Sequence, residues 1–341
     1  MVRLAVSMGD PSGIGPEVTA RALAGLRGLG AAFYVFGDAA VLGRAAEGAG
    51  LALPAIDPGE PLPPGGALVR VTRLPASARR PGRPAPAGGA AQLAYLEAAW
   101  AALRSGAADA LCTAPVSKAQ VQRALPGFVG HTEWLEARCR PHRSVMMLAS
   151  ARLRVALVTN HLALSRALRE ITEDRILRTI EVTHRGLRRD LGVARPRIAV
   201  CALNPHAGEQ GAFGDEEARR VAPAVGRARR RRLDVSGPWP ADSIFSRAAA
   251  GEFDAVVALY HDQGLIPAKL LDSVTGVPAV NVTLGLPVVR TSPDHGVAYD
   301  LAGTGRASDR SMGAAVRLAA EIARRRARAG AGGAAGAPPL S

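Results

Sequence analysis

Aromatic residues and long apolar runs are scarce in this chain of 341 residues. Only 4% of the residues are aromatic, and none interleaves with the basic clusters, as a surface for stacking nucleic-acid bases would require. No apolar run approaches the roughly 18 residues of a membrane-spanning helix, and the N-terminus reaches Gly9 and Asp10 too early for the apolar region of a signal peptide. We therefore predict a cytoplasmic protein that binds neither a membrane nor a nucleic acid.

Cysteine is also rare. The chain has three, Cys112, Cys139 and Cys201, an odd number without the CxxC spacing of a redox or zinc motif. Cys112 and Cys201 lie inside apolar, strand-like runs. This placement indicates buried thiols in a reducing compartment rather than a disulfide framework.

Acidic residues are too few to balance the basic ones, which leaves a formal net charge of +14. The excess is mostly arginine, concentrated at residues 227–232 and 317–328 in alanine-rich stretches that we expect to be helical. Arginines on the solvated faces of helices explain this charge, and the same field would attract a small anionic substrate. The competing hypothesis is a basic nucleic-acid-binding protein whose scaffold was once that of an enzyme. Such a protein would be free to lose the residues that bind a small ligand.

Short apolar runs alternate with stretches rich in alanine and leucine, a pattern typical of βαβ units and a mostly parallel sheet. The predicted strands are Arg3–Ser7, Ala32–Phe36, Asp109–Thr113, Val145–Ala149, Val155–Thr159, Ile198–Ala202, Ala255–Leu259 and Val280–Leu284, with a further β-like stretch at Ala67–Leu74. Apolar residues at helical spacing predict a helix over Leu93–Leu103. We predict an α/β protein of two α/β/α domains, one of residues 1–125 with 265–328 and one of residues 126–264, followed by a disordered tail at 329–341.

The first motif is GDPSGIGPE, Gly9 to Glu17, directly after the first strand. Its glycines, Gly13 and Gly15 among them, allow a tight turn, and Pro16 suits the first position of a helix. Exposed amides at such a helix start favour an anionic or polar ligand. The motif is not the Rossmann fingerprint, because the third glycine of GxGxxG is absent.

Three apolar strands each end in a histidine: His161, His206 and His261. In an open α/β sheet, ligands gather beyond the carboxyl ends of the strands, so three imidazoles could converge there on one cation and leave positions open for substrate. Alternatively, each histidine merely caps its strand or binds a loop carbonyl.

Polar and charged residues cluster in the same neighbourhoods. Lysine and arginine near a strand end, away from any charge run, suit a phosphate or carboxylate, although each could equally form a surface ion pair. Asp242 and Asp262 could tune a metal-bound group or act as acid or base. The candidates for binding substrate are His131, Thr132, Lys269, Asn281 and Arg290.

In combination, these motifs resemble the family of 4-hydroxythreonine-4-phosphate dehydrogenases of the pyridoxine pathway. The resemblance runs from Gly9 to about Ala314 and follows the family's order of motifs: GDPSGIGPE, TAPVSK, GHTEWLE, NPHAGEQGAFGDEE, PADSIF, YHDQGL, NVTLGLPVVRTSPDHG and DLAG. That family is similar in fold to isocitrate and isopropylmalate dehydrogenases, whose glycine-rich opening resembles Gly9–Glu17 here and whose cofactor segment resembles His295–Gly303.

The resemblance implies an enzyme. His161, His206 and His261 would be the ligands of one divalent metal, Zn²⁺, Co²⁺ or Mg²⁺, and His131, Thr132, Lys269, Asn281 and Arg290 would contact the substrate. NAD or NADP would lie at Gly13, Gly15, Asp294, His295, Gly296 and Asp300. The active site would lie at the interface of a homodimer.

The implied reaction is oxidation of the C3 hydroxyl of 4-hydroxy-L-threonine 4-phosphate, and the resulting β-keto acid readily loses CO₂ to give 3-amino-2-oxopropyl phosphate. The proton acceptor is open among Lys269, Asp262 and Asp242. Close relatives oxidise 4-phospho-D-threonate or 4-phospho-D-erythronate, and TAPVSK at Thr113–Lys118 favours the vitamin precursor over these sugar acids.

Overall fold

A computed structural model describes residues 1–332 of the chain. Its strands, in chain order, are β1 (Val2–Ser7), β2 (Ala31–Asp38), β3 (Ala55–Ile56), β4 (Gly66–Thr72), β5 (Ala110–Thr113), β6 (Val145–Ala149), β7 (Arg154–Leu157), β8 (Ile198–Cys201), β9 (Val235–Trp239), β10 (Ala255–Ala258), β11 (Val280–Leu284) and β12 (Arg290–Pro293). Its α-helices are α1 (Gly15–Ala24), α2 (Ala39–Gly48), α3 (Pro86–Arg104), α4 (Lys118–Ala124), α5 (His131–Arg138), α6 (Leu164–Glu170), α7 (Glu173–Arg189), α8 (Ala222–Arg230), α9 (Ala241–Ala249), α10 (His261–Thr275) and α11 (Arg310–Gly332).

The chain divides into two compact units. The first comprises Met1–Pro141 together with the described residues from Leu286 onward, and the second comprises His142–Gly285. The predicted boundaries differ from these, since residues 126–141 fall in the first unit and residues 265–285 in the second. The difference arises because α5 belongs with the first unit, whereas α10 and β11 belong with the second.

Within the first unit the strands follow the order β3-β4-β2-β1-β5-β12, and the pairs between them are all parallel. The strand β5 is buried along its whole length, and Tyr95 of α3 is fully buried in the same core. Parallel sheets covered by helices require strands that are apolar on both faces. The short β5 and the apolar part of β1 meet that requirement.

Within the second unit the order is β11-β6-β7-β10-β8-β9. The strand β6 runs antiparallel to both of its neighbours, while the remaining pairs are parallel. Residues of β6, β7, β8 and β10 pack against α9 and α10 in one apolar core. The mostly parallel α/β fold predicted from the sequence is thus confirmed.

All eight predicted strands are present, and the bounds of Val145–Ala149 and Val280–Leu284 are correct. The predicted helix Leu93–Leu103 lies inside α3, and β4 covers most of the β-like stretch at Ala67–Leu74. The helix α11 extends through Gly332, so the first four residues of the predicted disordered tail are helical. The other nine lie outside the described residues.

Cys112 and Cys201 are buried, as the sequence predicted, and Cys139 is buried as well. All three are free thiols. Burial raises the pKa of each thiol, that of Cys112 to about 11. Arg227 of α8 pairs with Glu173 and Asp174 of α7, so part of the basic run is neutralised on the helix surface. Among residues 1–332, no helix is both long and apolar enough to cross a membrane.

Candidate active site

The glycine-rich turn after β1 is packed too tightly for side chains. Gly9 has φ +72°, and a Cβ there would lie 2.2 Å from the Pro115 carbonyl oxygen. A Cβ on Gly13 would approach the Val297 carbonyl oxygen to 2.9 Å, and one on Gly15 would approach the Met8 carbonyl oxygen to 2.4 Å. These glycines therefore allow close approach of backbone segments, and they bring the turn against TAPVSK and the segment around Val297.

The Asp10 side chain stabilises this turn through hydrogen bonds. Its carboxylate is 1% exposed and accepts hydrogen bonds from the Ser12 amide (2.8 Å), the Gln92 side chain (3.0 Å) and the Tyr299 hydroxyl (2.7 Å). Burial raises the pKa of Asp10, although these hydrogen bonds oppose the shift. The Ile14 amide also donates to the Val297 carbonyl oxygen at 2.9 Å.

These contacts join the two segments predicted to bind the cofactor, Gly13–Gly15 and Asp294–Asp300. Gly296 is exposed, with open space where a Cβ would stand, and Asp300 is exposed as well. The His295 ring contacts the Gly296 carbonyl through Nδ1 at 3.1 Å, while its Nε2 is buried without a hydrogen-bond partner among the described residues. Open space next to an unsatisfied polar atom fits a polar ligand at this place.

Arg290, at the start of β12, is the most deeply buried of the predicted substrate contacts. Its side chain is 3% exposed and donates to the Thr113 hydroxyl at 2.8 Å. Burial lowers the pKa of Arg290 to about 10, so the guanidinium stays charged at neutral pH. The nearby Glu133 opposes this shift, and a charged donor at so buried a position also suits an anionic group of a ligand.

His131 and Thr132 open α5 beside this arginine and are both buried. Burial lowers the pKa of His131 well below its ordinary value, and the charges of Arg290 and Lys118 lower it further. The imidazole is therefore neutral at pH 7. Its Nε2 has no hydrogen-bond partner in the described part of the chain, although it is cut off from solvent. The site thus combines a cation with a buried ring nitrogen that lacks a hydrogen-bond partner among residues 1–332.

Two residues here were not identified from the sequence. Thr113 orients the Arg290 side chain, and Lys118 lies next to Gly130, where a Cβ would be 3.9 Å from its Nζ. Both belong to the motif TAPVSK. A lysine following a strand end is the signal that could have indicated Lys118.

In the second unit, His161 and His261 lie close together. Their ring centroids are 5.7 Å apart, and Asp262 contacts Nδ1 of His261 through Oδ1 at 2.8 Å. A carboxylate on one ring nitrogen orients the imidazole and leaves Nε2 for a metal, which is a common arrangement around metal-bound histidines. Asp262, predicted as an acid/base candidate, is therefore engaged in orienting His261.

The third predicted ligand, His206, does not join this pair. Within residues 1–332, no three histidine, cysteine or carboxylate side chains are close enough together to hold a metal ion. His206 lies instead beside Phe213, with ring centroids 6.1 Å apart. It opens an unusual turn, His206–Gln210, whose five residues all have φ between 39° and 79°. For residues other than glycine, this left-handed conformation costs on the order of 1–2 kcal/mol each.

The remaining predicted residues also lie in the second unit. Lys269 is exposed on α10, and Asn281 is half-buried on β11. Asp242 is exposed in the first turn of α9. The predicted site residues are thus divided between the two units, since Arg290 and His131 belong to the first unit.

Comparison with known proteins is consistent with this geometry. The family model for "Pyridoxal phosphate biosynthetic protein PdxA" matches residues 30–319. A 4-hydroxythreonine-4-phosphate dehydrogenase of Geobacter metallireducens is 49% identical, covering 94% of this chain and 96% of its own length. A putative D-threonate 4-phosphate dehydrogenase of Symbiobacterium thermophilum is 41% identical, covering 94% and 96%.

The solved structures agree. The crystal structure of 4-hydroxythreonine-4-phosphate dehydrogenase from Klebsiella pneumoniae has a TM-score of 0.78 and 39% identity, and the match covers 95% of this chain and all of that one. Extended identity at this level, together with a matching family model over most of the chain, shows common descent. The chain belongs to the PdxA family of pyridoxal phosphate biosynthetic proteins.

Proposed function

We propose that this protein is an NAD- or NADP-dependent dehydrogenase. It oxidises 4-hydroxy-L-threonine 4-phosphate at C3 to 2-amino-3-oxo-4-phosphooxybutanoate, which decarboxylates to 3-amino-2-oxopropyl phosphate. The observation that carries the proposal is the buried Arg290 guanidinium beside a neutral His131 with an unsatisfied Nε2. This pair matches an anionic substrate that also accepts hydrogen bonds.

The substrate's phosphate or carboxylate is the natural ligand for this place. Arg290 supplies a charge-assisted donor, and neutral His131 donates through Nε2 when the proton lies on that nitrogen. Both residues lie at or beside the start of α5, whose first amides carry partial positive charge. Lys118 adds a second positive charge next to Gly130.

The histidine pair fits a divalent cation. Two imidazoles on one zinc ion, with Zn–N bonds of about 2.0–2.1 Å, have ring centroids roughly 5–6 Å apart, close to the distance found for His161 and His261. A cation bound there supplies Lewis acidity, which lowers the pKa of a bound hydroxyl. Asp262 orients the His261 imidazole, because its carboxylate contacts Nδ1 of that ring. Because Asp262 is engaged with His261, Lys269 and Asp242 are the favoured proton acceptors.

The nicotinamide cofactor is proposed to bind where the glycine-rich turn meets the segment Asp294–Asp300. The closely packed glycines and the hydrogen bonds of the buried Asp10 carboxylate keep this turn in one conformation in the absence of a ligand. Open space at Gly296 and the unsatisfied Nε2 of His295 leave room for polar groups of the cofactor. Alignment of nicotinamide and substrate is the protein's main contribution to hydride transfer.

A homodimer with the site at its interface is part of the proposal. Helix α10 carries His261 and Lys269, and it also exposes an apolar stripe: Ile266 is 65% exposed, Leu270 62% and Val274 75%. These three residues follow helical spacing on one face, which is unusual for a solvated helix. A second copy covering this stripe would lie next to His261 and would complete the metal ligands that residues 1–332 of one chain do not gather.

The sugar-acid substrates are the second candidate, because they share the phosphate and the secondary hydroxyl, and the Symbiobacterium relative carries such a name. They differ in having a C2 hydroxyl in place of the amino group. The nucleic-acid hypothesis is disfavoured, since Arg227 and Arg231 of its basic run are paired with acidic residues of α7.

A spectrophotometric assay tests the proposal. Purified protein is mixed with NAD⁺ or NADP⁺ and each candidate substrate, before and after chelation, and reduced nicotinamide is followed by its absorbance. We expect reduction with 4-hydroxythreonine 4-phosphate, loss of activity after chelation, and recovery on adding Zn²⁺, Co²⁺ or Mg²⁺. Absence of reduction with every substrate and metal would refute the proposed function, and faster reduction with 4-phospho-D-threonate would shift it to the second candidate.

A further inference from the structure

The Arg290 side chain is directed along its strand toward the carboxyl end of the first-unit sheet. In the parallel pair of β5 and β12, Arg290 lies opposite Leu111, and Thr291 lies opposite Cys112. The guanidinium nevertheless donates to the hydroxyl of Thr113 at 2.8 Å, and Thr113 follows Leu111 on the same face of β5. At about 3.3 Å per residue, Thr113 lies roughly 6–7 Å farther along the strands than Leu111. Ligands of open α/β sheets gather beyond the carboxyl ends of the strands, so this direction brings the cation toward the proposed substrate.

Thr113 is a rigid partner for this guanidinium. It is the last residue of β5, is 0% exposed and pairs with Ser7 of β1. The Ala114 amide donates to the Ser7 carbonyl oxygen at 2.9 Å. One residue further, the Pro115 carbonyl oxygen accepts from the Asp10 amide at 3.0 Å. Threonine is β-branched and has few rotamers, whereas an arginine side chain has many, so the hydroxyl is the fixed member of the pair.

The hydrogen bond orients the cation without neutralising it. A threonine hydroxyl is uncharged and accepts from one of the five N–H donors of a guanidinium. The negative charge of Glu133 also acts on Arg290 and raises its pKa, against the larger effect of desolvation. Thr113 therefore contributes direction rather than charge. The direction is toward His131, since the charges of Arg290 and Lys118 both lower the pKa of that imidazole.

We propose that Thr113 is a positioning residue for substrate binding, which acts by orienting the Arg290 guanidinium toward the substrate's anionic group. The inference rests on the proposed function, in which Arg290 binds that group. It adds a residue that need not touch the substrate and yet determines how tightly the anionic group is bound. Loss of one hydrogen bond of this kind changes an affinity by about threefold to tenfold.

Steady-state kinetics at saturating cofactor test the inference. Thr113→Val removes the hydroxyl and keeps the shape of the side chain, whereas Thr113→Ser keeps the hydroxyl. Thr291→Val is the matched control, because the Thr291 hydroxyl is equally buried and donates to the Ala315 carbonyl oxygen at 2.8 Å. Thr291 lies next to Arg290 in β12 and therefore on the opposite face of the sheet. The double variant Thr113→Val/Arg290→Ala, compared with Arg290→Ala, tests whether Thr113 acts through Arg290.

We expect Thr113→Val to raise the KM for the substrate about threefold to tenfold and to leave kcat within about twofold. The reason is that an anionic group away from the reacting carbon is bound alike in the ground state and the transition state. Thr113→Ser and Thr291→Val should both stay within about twofold of wild type. In the Arg290→Ala background, Thr113→Val should have no further effect. For any variant too slow to assay, the rise in melting temperature with substrate concentration measures binding without turnover.

A wild-type KM in Thr113→Val overturns the inference and leaves the proposed function intact, whereas absence of turnover in the wild-type protein overturns the proposed function itself. The inference is also wrong if Thr113→Ser or Thr291→Val is impaired as much as Thr113→Val, or if the two single effects multiply in the double variant. If Thr113→Val does not fold, Thr113→Ala removes the same hydroxyl with less bulk and carries the same expectation.

Discussion

Removal of the Arg290 side chain is the sharpest perturbation of the proposed substrate site. Arg290→Ala deletes a buried guanidinium and its hydrogen bond to the Thr113 hydroxyl. Desolvation is the largest effect on this guanidinium and lowers its pKa to about 10, while the charge of Glu133 opposes the shift. The fold loses packing and the hydrogen bond to Thr113, whereas the substrate loses its buried cation.

The magnitude follows from the strength of the hydrogen bond between the guanidinium and the substrate's anionic group. A charge-assisted hydrogen bond contributes about 1.5–3 kcal/mol, and each 1.4 kcal/mol is a factor of about ten in rate or affinity. Arg290→Ala should therefore lower kcat/KM by at least about tenfold and by as much as about a hundredfold. Arg290→Lys keeps the charge but not the planar fork, so we expect partial recovery only.

Steady-state kinetics at saturating cofactor measure the effect, and a thermal melt of each variant checks the fold. Arg317→Ala, an exposed arginine of α11, is the matched control and should leave kcat/KM within about threefold. If Arg290→Ala also stays within threefold, the substrate's anionic group is bound elsewhere. The reasoning from the buried guanidinium would then be wrong.

Two further predictions concern pH and surface charge. Burial lowers the pKa of His131 in the folded protein below its value in the unfolded chain, which is about 6.5. As the pH falls below about 6.5, the unfolded chain binds a proton that the folded protein does not bind. The free energy of unfolding therefore decreases, by at most about 1.4 kcal/mol per pH unit. Urea unfolding between pH 8 and 5 should thus show a shallower decline for His131→Gln than for wild type, and equal slopes would contradict the assignment. Replacing the exposed Arg230 and Arg232 together by glutamine should leave turnover within about threefold, with no tight nucleic-acid binding before or after the change. Submicromolar, strongly salt-dependent binding of RNA or DNA that the double variant weakens would revive the nucleic-acid hypothesis.

The strands that could be predicted from the sequence are those whose buried residues are apolar. The strand β12 was missed because its residues Arg290, Thr291 and Ser292 are polar yet buried, and only tertiary hydrogen bonds such as Arg290 to Thr113 explain that burial. The strand β9 was missed because Gly237 and Pro238 interrupt it, and both residues usually end a strand.

The candidate site, likewise, could be predicted only where the signal is local in the sequence. Histidines at strand ends could be recognised from local pattern, and His161 and His261 do lie together. The left-handed turn at His206–Gln210 could not be predicted, because four of its five residues are not glycine and no local sequence pattern predicts such a backbone. The boundary between the two units differs from the predicted one for a similar reason, since the unit to which α5 and α10 belong is decided by packing.

The three buried cysteines have a consequence for experiment. Thiol reagents attack the thiolate, and burial with a raised pKa keeps Cys112, Cys139 and Cys201 protonated and inaccessible in the native protein. Labelling of any of them therefore requires local or global opening of the core. Cys112 and Cys139 belong to the first unit and Cys201 to the second. The native sequence thus carries a separate labelling reporter in each unit, from which the opening free energies of the two could be measured independently in one sample.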